Sequence, residues 1–502
     1  MRIFSSLPLF LFLFIISCSP SIKTPSDTIV IGIEAAPKTP NDPRLSMADA
    51  YSSKISDLIF NGLFRINERM EVIPDLVKSY QLIQPTLYRF HLKSGVVFHD
   101  GRPLTANDVK KTIEAILDPT LASPHRSLLS KIEAIHVLND LSLEIKLAEP
   151  FAPLPDALRL GILPDGKDIG IGTGPYKIEK FIPAEGITLT RNENYFGEKP
   201  RMARLHFKVI PDDNVRVLEL LSGQVDFLQN NIPYLMVDYL RKKPALQVAV
   251  TNGVNFTYLG MNLNQEPLNK QEVREAIAHA IDVPSIIRYR FGDLATPATG
   301  ILPPIHWAYE GNVKKYPYNP PLARKLLDQA GYRDPDGVGP KSRFSFTYKT
   351  STNRERIGLA RLIARYLKEV GIGVHILPFE WGTFFHDIQT GNFQLYSLTW
   401  VRITEPDIYH YIFHSSQTPP NGANRGSYKN ESIDRLTTEA RKTLDLPKRH
   451  ELYSYTQKVI AQEIPYINLW YEKNVAVFQK NLRGVRLRPD AGFEIFTEVY
   501  KE

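Results

Sequence analysis

Two periodicities of apolar residues alternate along this 502-residue chain. Thr28–Glu34 (TIVIGIE) is a nearly continuous apolar run and predicts a strand, and Thr86–Leu92 alternates apolar and polar residues as a half-buried strand does. Glu272–Tyr289 instead repeats apolar residues at intervals of three and four, which predicts an amphipathic helix. Because elements of both kinds succeed one another from end to end, we predict an α/β protein.

Capping residues and glycines mark the limits of the other predicted elements. Thr105 and Asp108 are typical of a helix start, and Gly331 and Gly371 follow two helices where a left-handed residue is needed. Further helices are predicted at Ser46–Phe60, Thr105–Leu117, Pro320–Ala330, Arg354–Val370, Glu431–Thr443 and Pro447–Ala461. Further strands are predicted as a hairpin over His136–Leu147, a strand over Tyr176–Phe181 and a strand pair over Tyr466–Phe478.

The first eighteen residues predict export and attachment to a membrane. Arg2 precedes the apolar run Leu7–Ile16, which is shorter than the roughly 20 residues of a bilayer span and fits the core of a signal peptide. The run ends at Cys18 in a sequence that resembles the lipobox of bacterial lipoproteins. We therefore predict a signal peptide over residues 1–17, lipidation of Cys18, and a flexible Ser- and Pro-rich tether over residues 18–27.

Composition narrows the class of protein further. Cys18 is the only cysteine, so we expect no internal disulfide, and the roughly 480 residues after it suffice for two to four domains. The 61 basic and 54 acidic residues give a net charge of +7 but are interspersed, whereas a nucleic-acid-binding protein concentrates its basic residues. We therefore predict no nucleic-acid partner.

Motifs of catalysis and of nucleotide binding are missing from the sequence. It has no G-x-x-x-x-G-K-[ST] loop, no G-x-S-x-G elbow and no H-E-x-x-H helix. Gly170–Gly174 lacks the third glycine of a dinucleotide-binding turn and precedes Pro175, which favours a tight turn before a strand. We accordingly predict a binding protein without a cofactor rather than an enzyme.

One set of side chains raises the alternative of a metal site. Asp407, His410 and His414 are spaced by three and four residues, which places them on one face if residues 406–414 are helical. A carboxylate and two imidazoles suit a divalent transition metal, although a bound metal normally has more ligands than these. We favour the interpretation of a half-buried aromatic helix with histidines at its margins.

Six motifs follow one another in a fixed order along the chain. They are Phe60–Phe64 with Ile73–Leu76, Phe98–Val109 (FHDGRPLTANDV), Gly172–Tyr176, Leu221–Asp226, Val273–Ile277 with Ala280–Asp282, and Ala323–Tyr332. In this order and spacing they resemble the peptide- and nickel-binding family of ABC-transporter solute-binding proteins, bacterial extracellular solute-binding protein family 5. The resemblance implies a receptor in the periplasm or cell envelope that delivers a peptide or other small ligand to a permease and its ATPase.

The resemblance also implies the fold, a type II, cluster C periplasmic-binding-protein fold whose two lobes close on a ligand. Lobe I is expected to comprise residues 28–47, 170–255 and 479–502. Residues 48–169 are expected to be a subdomain inserted in that lobe, and residues 256–478 to form lobe II. The protein is expected to act as a monomer, held at the membrane by its lipid.

A departure from the family pattern concerns the ligand. Peptide-binding members place an aspartate three residues after a tryptophan to receive the peptide's amino terminus. The matching tryptophan is Trp400, followed by Val401 and Arg402, but the third residue is Ile403. Because a buried ammonium needs a carboxylate partner, this leaves the ligand open. Arg402 could bind a carboxylate or phosphate, or could form a salt bridge at the surface or between the lobes.

Aromatic residues supply the remaining candidates for ligand contact, because they accept varied side chains through apolar contact. The resemblance implies a pocket position for Trp381 and cleft-facing positions for Tyr51 and Tyr258, one in each lobe. Trp470 lies near the return crossing between the lobes. For Trp381 and Trp470, packing in the core is the alternative interpretation.

Three functions remain open at this point. The first is peptide capture for an ABC importer, with Glu405 or Asp407 replacing the missing aspartate if the ligand has a free amine. The second is binding of a metal chelate, a glutathione-like molecule or another acidic ligand, which Arg402 and Ile403 favour. The third is a periplasmic enzyme or chaperone on the same scaffold.

Overall fold

The computed structural model describes residues 24–166, 169–337 and 339–502, so the predicted signal peptide and Cys18 lie outside the described residues. Its strands, numbered in chain order, are β1 Thr28–Ile33, β2 Phe64–Ile66, β3 Val72–Pro74, β4 Val77–Gln84, β5 Leu87–Leu92, β6 Ile132–Asn139, β7 Ser142–Leu147, β8 Tyr176–Ile182, β9 Gly186–Arg191, β10 Arg204–Val209, β11 Phe227–Gln229, β12 Leu246–Met261, β13 Ala295–Pro297, β14 Phe344–Ser351, β15 Ile372–Phe379, β16 Leu395–Trp400, β17 Tyr466–Gln479, β18 Leu482–Arg483 and β19 Tyr500–Lys501.

The α-helices are α1 Ala50–Ile59, α2 Ala106–Leu117, α3 Arg126–Leu129, α4 Leu154–Ala157, α5 Asp213–Ser222, α6 Tyr234–Arg241, α7 Gln271–Ala280, α8 Val283–Ile286, α9 Pro320–Gln329, α10 Arg354–Lys368, α11 Trp381–Gln389, α12 Ile408–Phe413, α13 Glu431–Lys442 and α14 Leu446–Glu463. Short 3₁₀-helices lie at Ser46–Ala48, Pro119–Leu121, Ser415–Gln417 and Phe493–Thr497, and a π-helix at Ile287–Phe291. Within the three described ranges, no helix is both long and apolar enough to cross a bilayer.

One eleven-stranded sheet runs through the molecule and is organised around two long strands. Its order is β15-β14-β16-β12-β17-β11-β1-β10-β9-β8, with β13 added beside β17. β12 and β17 are 16 and 14 residues long and pair antiparallel from Leu246 opposite Gln479 to Gly260 opposite Tyr466. Strands β14 to β16 of lobe II lie beyond β12, whereas β1 and β8 to β11 of lobe I lie beyond β17, where the short strand β13 also pairs, so the predicted two-lobed α/β fold is confirmed.

Each lobe has its own buried core. In lobe I, Phe207, Phe227 and Phe496 pack together beneath β1, with ring centroids 5.1 Å apart for the last two. In lobe II, the stacked rings of Tyr258 and Tyr466 lie 4.2 Å apart at the centre of an aromatic core. Closely packed aromatic rings of this kind bury large apolar areas, and a third cluster, which includes Val30 of lobe I and Leu259 of lobe II, connects the lobes.

The inserted subdomain is a four-stranded antiparallel sheet, β4-β5-β7-β6, covered by α2. α2 begins as predicted, because Thr105 and Asp108 form a reciprocal capping box. α1, however, packs in the core of lobe I through Ile55, Leu58 and Ile59. If the boundary is drawn where the buried side chains change from one core to the other, the insertion begins after α1 rather than at residue 48.

Several of the sequence motifs meet where the insertion leaves lobe I. Asn61 donates from Nδ2 to Asp75 Oδ2 at 2.8 Å and accepts at Oδ1 from Thr173 Oγ1 at 3.0 Å. The amide of His99 donates to the carbonyl of Gly172 at 2.8 Å. Because Asn61, Asp75 and Thr173 are buried, each needs these partners, and the motifs define a structural junction.

Two predicted elements are wrong in extent. The helix expected over Glu272–Tyr289 ends at Ala280, because Asp282 caps a new turn through the amide of Ser285 and Pro284 has no N–H to continue the first helix. The strand pair expected over Tyr466–Phe478 is the single strand β17. Its length reflects the crossing between lobes, which no local signal encodes.

Replacing Gly172 or Gly174 by alanine should destabilise the protein. A Cβ at Gly172 would lie 2.0 Å from the carbonyl oxygen of Ile59, and one at Gly174 would lie 2.6 Å from it. Because the obstacle is backbone, relief requires moving α1 against the insertion, which we expect to cost about 2–3 kcal/mol of unfolding free energy. Denaturant unfolding of the two variants measures this cost.

The matched control is Gly358→Ala in α10. The new Cβ there would meet only the end of the Arg290 side chain, at 3.3 Å, and alanine is the better helix former by about 1 kcal/mol. This variant should be as stable as the parent or more stable. Equal behaviour of the three variants would contradict the proposed close approach at the junction.

Candidate ligand-binding cleft

A cavity of about 490 Å³ lies between the two lobes. Its walls come from the cleft side of α1, the chain after β11, residues 156–161 of the insertion, the crossing strands and the loop after β16. The cavity is therefore where lobe I, lobe II and the insertion converge. Its volume lies within the range of about 300–1,000 Å³ that is typical of small-molecule sites.

A β-bulge in the crossing strands shapes the floor of this cavity. The register shifts between Asn252 and Asn255, so that Asn252 pairs with Lys473 and Asn255 with Glu472. Gly253 allows the close approach, because a Cβ there would lie 2.2 Å from the carbonyl oxygen of Glu472. Bulges re-aim side chains, and Asn255, Glu472 and Lys473 all line the cavity here.

Arg402 joins the lobes across the cleft. It leaves lobe II in the loop after β16 with a positive φ of 52°, held by a hydrogen bond from its amide to Asn255 Oδ1 at 3.1 Å. On the lobe I side its guanidinium donates to Ser53 Oγ at 2.8 Å and to Asp57 Oδ2 at 2.8 Å. Of the two roles considered for Arg402, the structure shows the salt bridge between the lobes.

A second carboxylate supports the same guanidinium. Asp490 is 1 % exposed, lies 3.5 Å from Arg402 Nη2, and accepts from Arg488 Nε at 3.0 Å. Burial by itself raises the pKa of Asp490, but the guanidinium groups of Arg488 and Arg402 outweigh burial and hold the pKa below its ordinary value. Arg402 is therefore already paired, which leaves other cations to meet an anionic ligand.

Lys54 is such a cation. It follows Tyr51 by three residues on α1, lines the cavity, and has no carboxylate within ion-pair distance in the described part of the chain. Its Nζ lies 5.3 Å from the ring centroid of Phe493. Burial first, and then the guanidinium of Arg402, lower the pKa of Lys54 to about 8. An anion from a ligand would stabilise the charged form.

Glu472 is the complementary group. It lies on β17 and lines the cavity, and Thr257 Oγ1 donates to its Oε1 at 3.0 Å. Among the described residues no lysine, arginine or histidine nitrogen lies within ion-pair distance of it. Burial raises the pKa of Glu472 above the ordinary value. A ligand ammonium is the kind of group that would offset this loss of hydration.

Two of the predicted aromatic and apolar site residues line the cavity. Tyr51 is half-buried on α1, and its hydroxyl lies 3.5 Å from Asn231 Nδ2. Val401 is 55 % exposed at the cleft side of the loop after β16. Trp400, just before it, lies behind the cavity, with the guanidinium of Arg425 5.0 Å from its ring centroid. The structure thus places Tyr51 and Val401 in the cavity wall, with Trp400 next to Val401 in the chain.

The other three predicted aromatics lie elsewhere. Tyr258 and Trp470 are 0 % and 1 % exposed in the cores of the protein, and Trp470 packs against Phe291 at 4.9 Å. Trp381 is 45 % exposed at the start of α11, outside the cavity walls, with Arg356 4.8 Å above its ring. The cleft-facing position expected for Tyr258 is thus replaced by a core position, because alternation along β12 turns its ring inward.

Ile403 and the histidine pair also have structural explanations. Ile403 is 3 % exposed and packs in the core of lobe II, so an aspartate there would be buried away from the cavity. Asp407 is engaged by Arg441 Nε at 3.0 Å, and the same guanidinium lies 3.3 Å from His410 Nδ1. Burial, then Arg441 and His414, lower the pKa of His410 to about 3. A guanidinium at this place repels a metal ion.

The rest of the described chain offers no other candidate metal site. In residues 24–166, 169–337 and 339–502 no cluster of three or more His, Cys, Asp or Glu side chains could hold a metal ion. Glu405, one of the two substitutes considered for the missing aspartate, is held by Arg449, and Asp407, the other, by Arg441. Neither lines the cavity.

Lys54 and Glu472 were not among the residues selected from the sequence. Lys54 follows Tyr51 by three residues on the predicted helix, so the two side chains share one face. A cleft-facing position for Tyr51 therefore implies a cleft-facing position for Lys54 as well. Glu472 stands with Lys473 and Asn474 in the middle of the largely apolar segment Tyr466–Phe478, and charges within a buried strand are a signal of their own.

A continuous two-lobed sheet with a charged cleft between the lobes defines the class of two-lobed ligand-binding proteins. Within that class, a sequence model of the bacterial extracellular solute-binding proteins, family 5 Middle, matches residues 71–421. The match spans well over half of the chain, so the protein belongs to this family of solute-binding proteins of ABC importers. The family resemblance expected from the six motifs is confirmed.

Curated relatives include the glutathione-binding protein GsiB of Escherichia coli K12, which is 28 % identical over 467 residues and covers 89 % of each chain. The glutathione-binding protein GsiB of Salmonella paratyphi A is 28 % identical over 500 residues and covers 95 % of each chain. Both relatives therefore align with almost the whole protein.

Solved structures agree on the fold. NikZ from Campylobacter jejuni in complex with Ni(L-His) has a TM-score of 0.83 and 26 % identity, over 95 % of this chain and 100 % of that one. DppA from Helicobacter pylori in complex with the peptide STSA has a TM-score of 0.81 and 27 % identity, over 95 % and 98 %. Similar scaffolds therefore carry ligands of different chemistry.

Replacing Arg402 by methionine should weaken the connection between the lobes. Breaking a buried ion pair typically costs about 3–5 kcal/mol, but Asp490 keeps Arg488 and Asp57 is partly exposed, so we expect about 2 kcal/mol. Chemical denaturation measures the cost, and small-angle scattering should show a larger radius of gyration.

Arg241→Met is the matched control. Its ion pair with Asp238 is exposed at both partners, so its loss should cost about 0–1 kcal/mol and leave the radius unchanged. If Arg402→Met and Arg241→Met were indistinguishable in both measurements, the bridge across the cleft would not stabilise the closed arrangement.

Proposed function

We propose that this protein is a lipid-anchored, extracytoplasmic receptor that captures short peptides or peptide-like zwitterions between its lobes and delivers them to the permease of an ABC importer. The observation that carries the proposal is the pair of unpartnered charges in the cavity, Lys54 on α1 and Glu472 on β17. A zwitterion supplies a carboxylate to the first and an ammonium to the second.

The volume of the cavity supports a small ligand. About 490 Å³ is at the lower end for sites that enclose drug-sized molecules, and the bridge from Arg402 to Asp57 closes one side. A long peptide would require the lobes to separate further. We therefore propose ligands of a few residues rather than extended peptides.

An acidic, glutathione-like ligand is a second candidate. It is favoured by the unpaired ammonium of Lys54 and by the relatives named for glutathione binding. Such a molecule carries two carboxylates and one ammonium, so it makes the same use of Lys54 and Glu472.

Thermal unfolding with a ligand panel tests both candidates. Di-, tri- and tetrapeptides and glutathione are each compared with their N-acetylated and C-amidated forms. A true ligand at one hundred times its Kd should stabilise the folded state by about 2.7 kcal/mol, and both blocked forms should lose most of this effect. A panel in which no member shifts the transition would contradict the proposal and leave the fold unaffected.

Lys54→Met should weaken binding of the ligand found in that panel by about 10- to 100-fold, because a hydrogen bond to a charged group is lost. Glu472→Gln should do the same for a ligand with a free amine and have little effect on its N-acetylated form. Isothermal titration calorimetry measures both. A loss caused by misfolding would appear instead as lowered stability of the ligand-free variants.

The pH dependence provides the control for Lys54. The lysine is charged below its lowered pKa of about 8, so affinity for a carboxylate should fall as pH rises from 7 to 9.5. An arginine at this position stays charged between pH 7 and 9.5, so Lys54→Arg should remove the part of the affinity loss that comes from deprotonation of residue 54. Comparing the two proteins cancels the titration of the ligand's own amine.

The lipid anchor is a separate part of the proposal. Cys18 follows an apolar run of signal-peptide length in a sequence that resembles the lipobox of bacterial lipoproteins. Expression in a bacterial host should place the protein in the membrane fraction with a mass increased by the lipid. Cys18→Ser should abolish that mass increase, and unchanged membrane retention of a lipid-free variant would contradict the anchor.

A further inference from the structure

The start of the described chain is tied to one edge of lobe I. Thr24 Oγ1 donates to Asp226 Oδ1 at 2.6 Å and accepts from Lys501 Nζ at 2.6 Å, and Lys501 Nζ lies 2.9 Å from Asp226 Oδ2. Asp226 and Lys501 are almost fully buried, at 3 % and 4 % exposure. These contacts fix the point at which the chain leads back towards Cys18.

Basic side chains surround this point. The amide of Gln479 donates to the carbonyl of Asp226, and the next residue, Lys480, donates its amide to the carbonyl of Ala245, just beyond Lys242 and Lys243 at the end of α6. On the other side, the guanidinium of Arg201 lies 3.4 Å from the ring centroid of Tyr500. We call Arg201, Lys242, Lys243 and Lys480 the basic edge.

The acidic residues of this edge do not neutralise it. Asp226 is paired with Lys501, Asp238 with Arg241, and Glu502 with Arg483, while Asp27 and Glu179 share Arg204. In the described part of the chain, no carboxylate lies within ion-pair distance of the four residues of the basic edge. Arg201, Lys242 and Lys480 are exposed, and Lys243 is partly exposed. The edge therefore presents uncompensated positive charge to solvent.

The length of the tether places this edge at the membrane. Five residues lie between Cys18 and Thr24, so the six steps of chain from one to the other span at most about 20 Å when fully extended. The attraction between basic groups and anionic lipid acts over a Debye length of about 8–10 Å. A protein held by a lipid on Cys18 thus keeps its basic edge within about two Debye lengths of the headgroups, and within their electrostatic range whenever the tether is not fully extended.

We propose that the basic edge of lobe I docks on anionic phospholipid headgroups and fixes the orientation of the receptor on the membrane. This inference rests on the lipid anchor proposed above. A lipid chain and a basic patch act together, because each basic residue adds attraction to an anionic surface once the anchor has brought it close. β1 runs away from this edge, and Glu34 beyond its far end lines the cavity, so docking keeps the cleft clear of the headgroups.

The first experiment uses the mature chain with Cys18→Ser, which carries no lipid, and vesicles of phosphatidylcholine with or without one third phosphatidylglycerol. Co-sedimentation should show binding to the anionic vesicles only, and 0.5 M salt should abolish it. The triple variant Lys242→Glu, Lys243→Glu, Lys480→Glu should bind at least tenfold more weakly. Equal binding to both vesicle types would overturn the proposal.

A charge-matched control separates a docking surface from net charge. Lys315, Lys325 and Lys368 are exposed on lobe II and have no ion-pair partner in the described ranges. Their triple replacement by glutamate changes the net charge equally and should leave vesicle binding within twofold of the parent. Equal losses in the two triple variants would overturn the proposal. Unchanged ligand affinity in both keeps this result separate from the proposed cargo.

The lipidated protein tests the orientation directly. Because Cys18 is the only cysteine and its thiol carries the lipid, Asn481→Cys and Lys325→Cys each give a single site for a fluorophore. Headgroup-labelled quencher lipids in anionic nanodiscs should quench the label at residue 481 at least threefold more than the label at residue 325. Equal quenching would overturn the fixed orientation even if the anchor is present.

Discussion

The antiparallel pairing of β12 with β17 is the constraint on which the rest of the structure depends. The two strands pass through both lobes, so every strand of the eleven-stranded sheet is attached, directly or through neighbours, to one continuous pair. Where they pass the cleft, the bulge at Asn252–Asn255 interrupts the regular register. Because both strands are continuous, they connect the two lobes covalently. The bulge puts a bend in this connection, at which one lobe can turn relative to the other.

The cleft contains charged groups that are paired within the protein and charged groups that are not. Arg402 is partly buried and is engaged by Asp57, Asp490 and Ser53, so contacts with protein groups across the lobes replace much of its hydration. Lys54 and Glu472 lose hydration without gaining an ionic partner, and their pKa values shift towards the neutral forms as a result. A closed receptor can tolerate such groups if its ligand completes them, which is why the proposed specificity rests on this pair rather than on Arg402.

The motifs that indicated the family are mainly structural. Asn61, Asp75, His99 and Thr173 are far apart in sequence, yet they form one buried junction between the insertion and lobe I. Gly172 and Gly174 are required there because α1 passes too close for a side chain. Such motifs predict a fold well, because buried polar groups and close backbone contacts admit few residue types. They reveal little about the ligand, whose contacts lie on other surfaces.

The sequence by itself determined the α/β class, the limits of most helices, the family and the expectation of export, because these depend on local periodicity, capping residues and short motifs. Only the tertiary structure decided that β17 is one crossing strand, that Tyr258 and Trp470 face the cores, and that Arg402 bridges the lobes. It also brought Lys54 and Glu472 to one cavity, although more than four hundred residues separate them. Burial and charge pairing arise from contacts distant in the chain, and no local pattern encodes which partners those contacts supply.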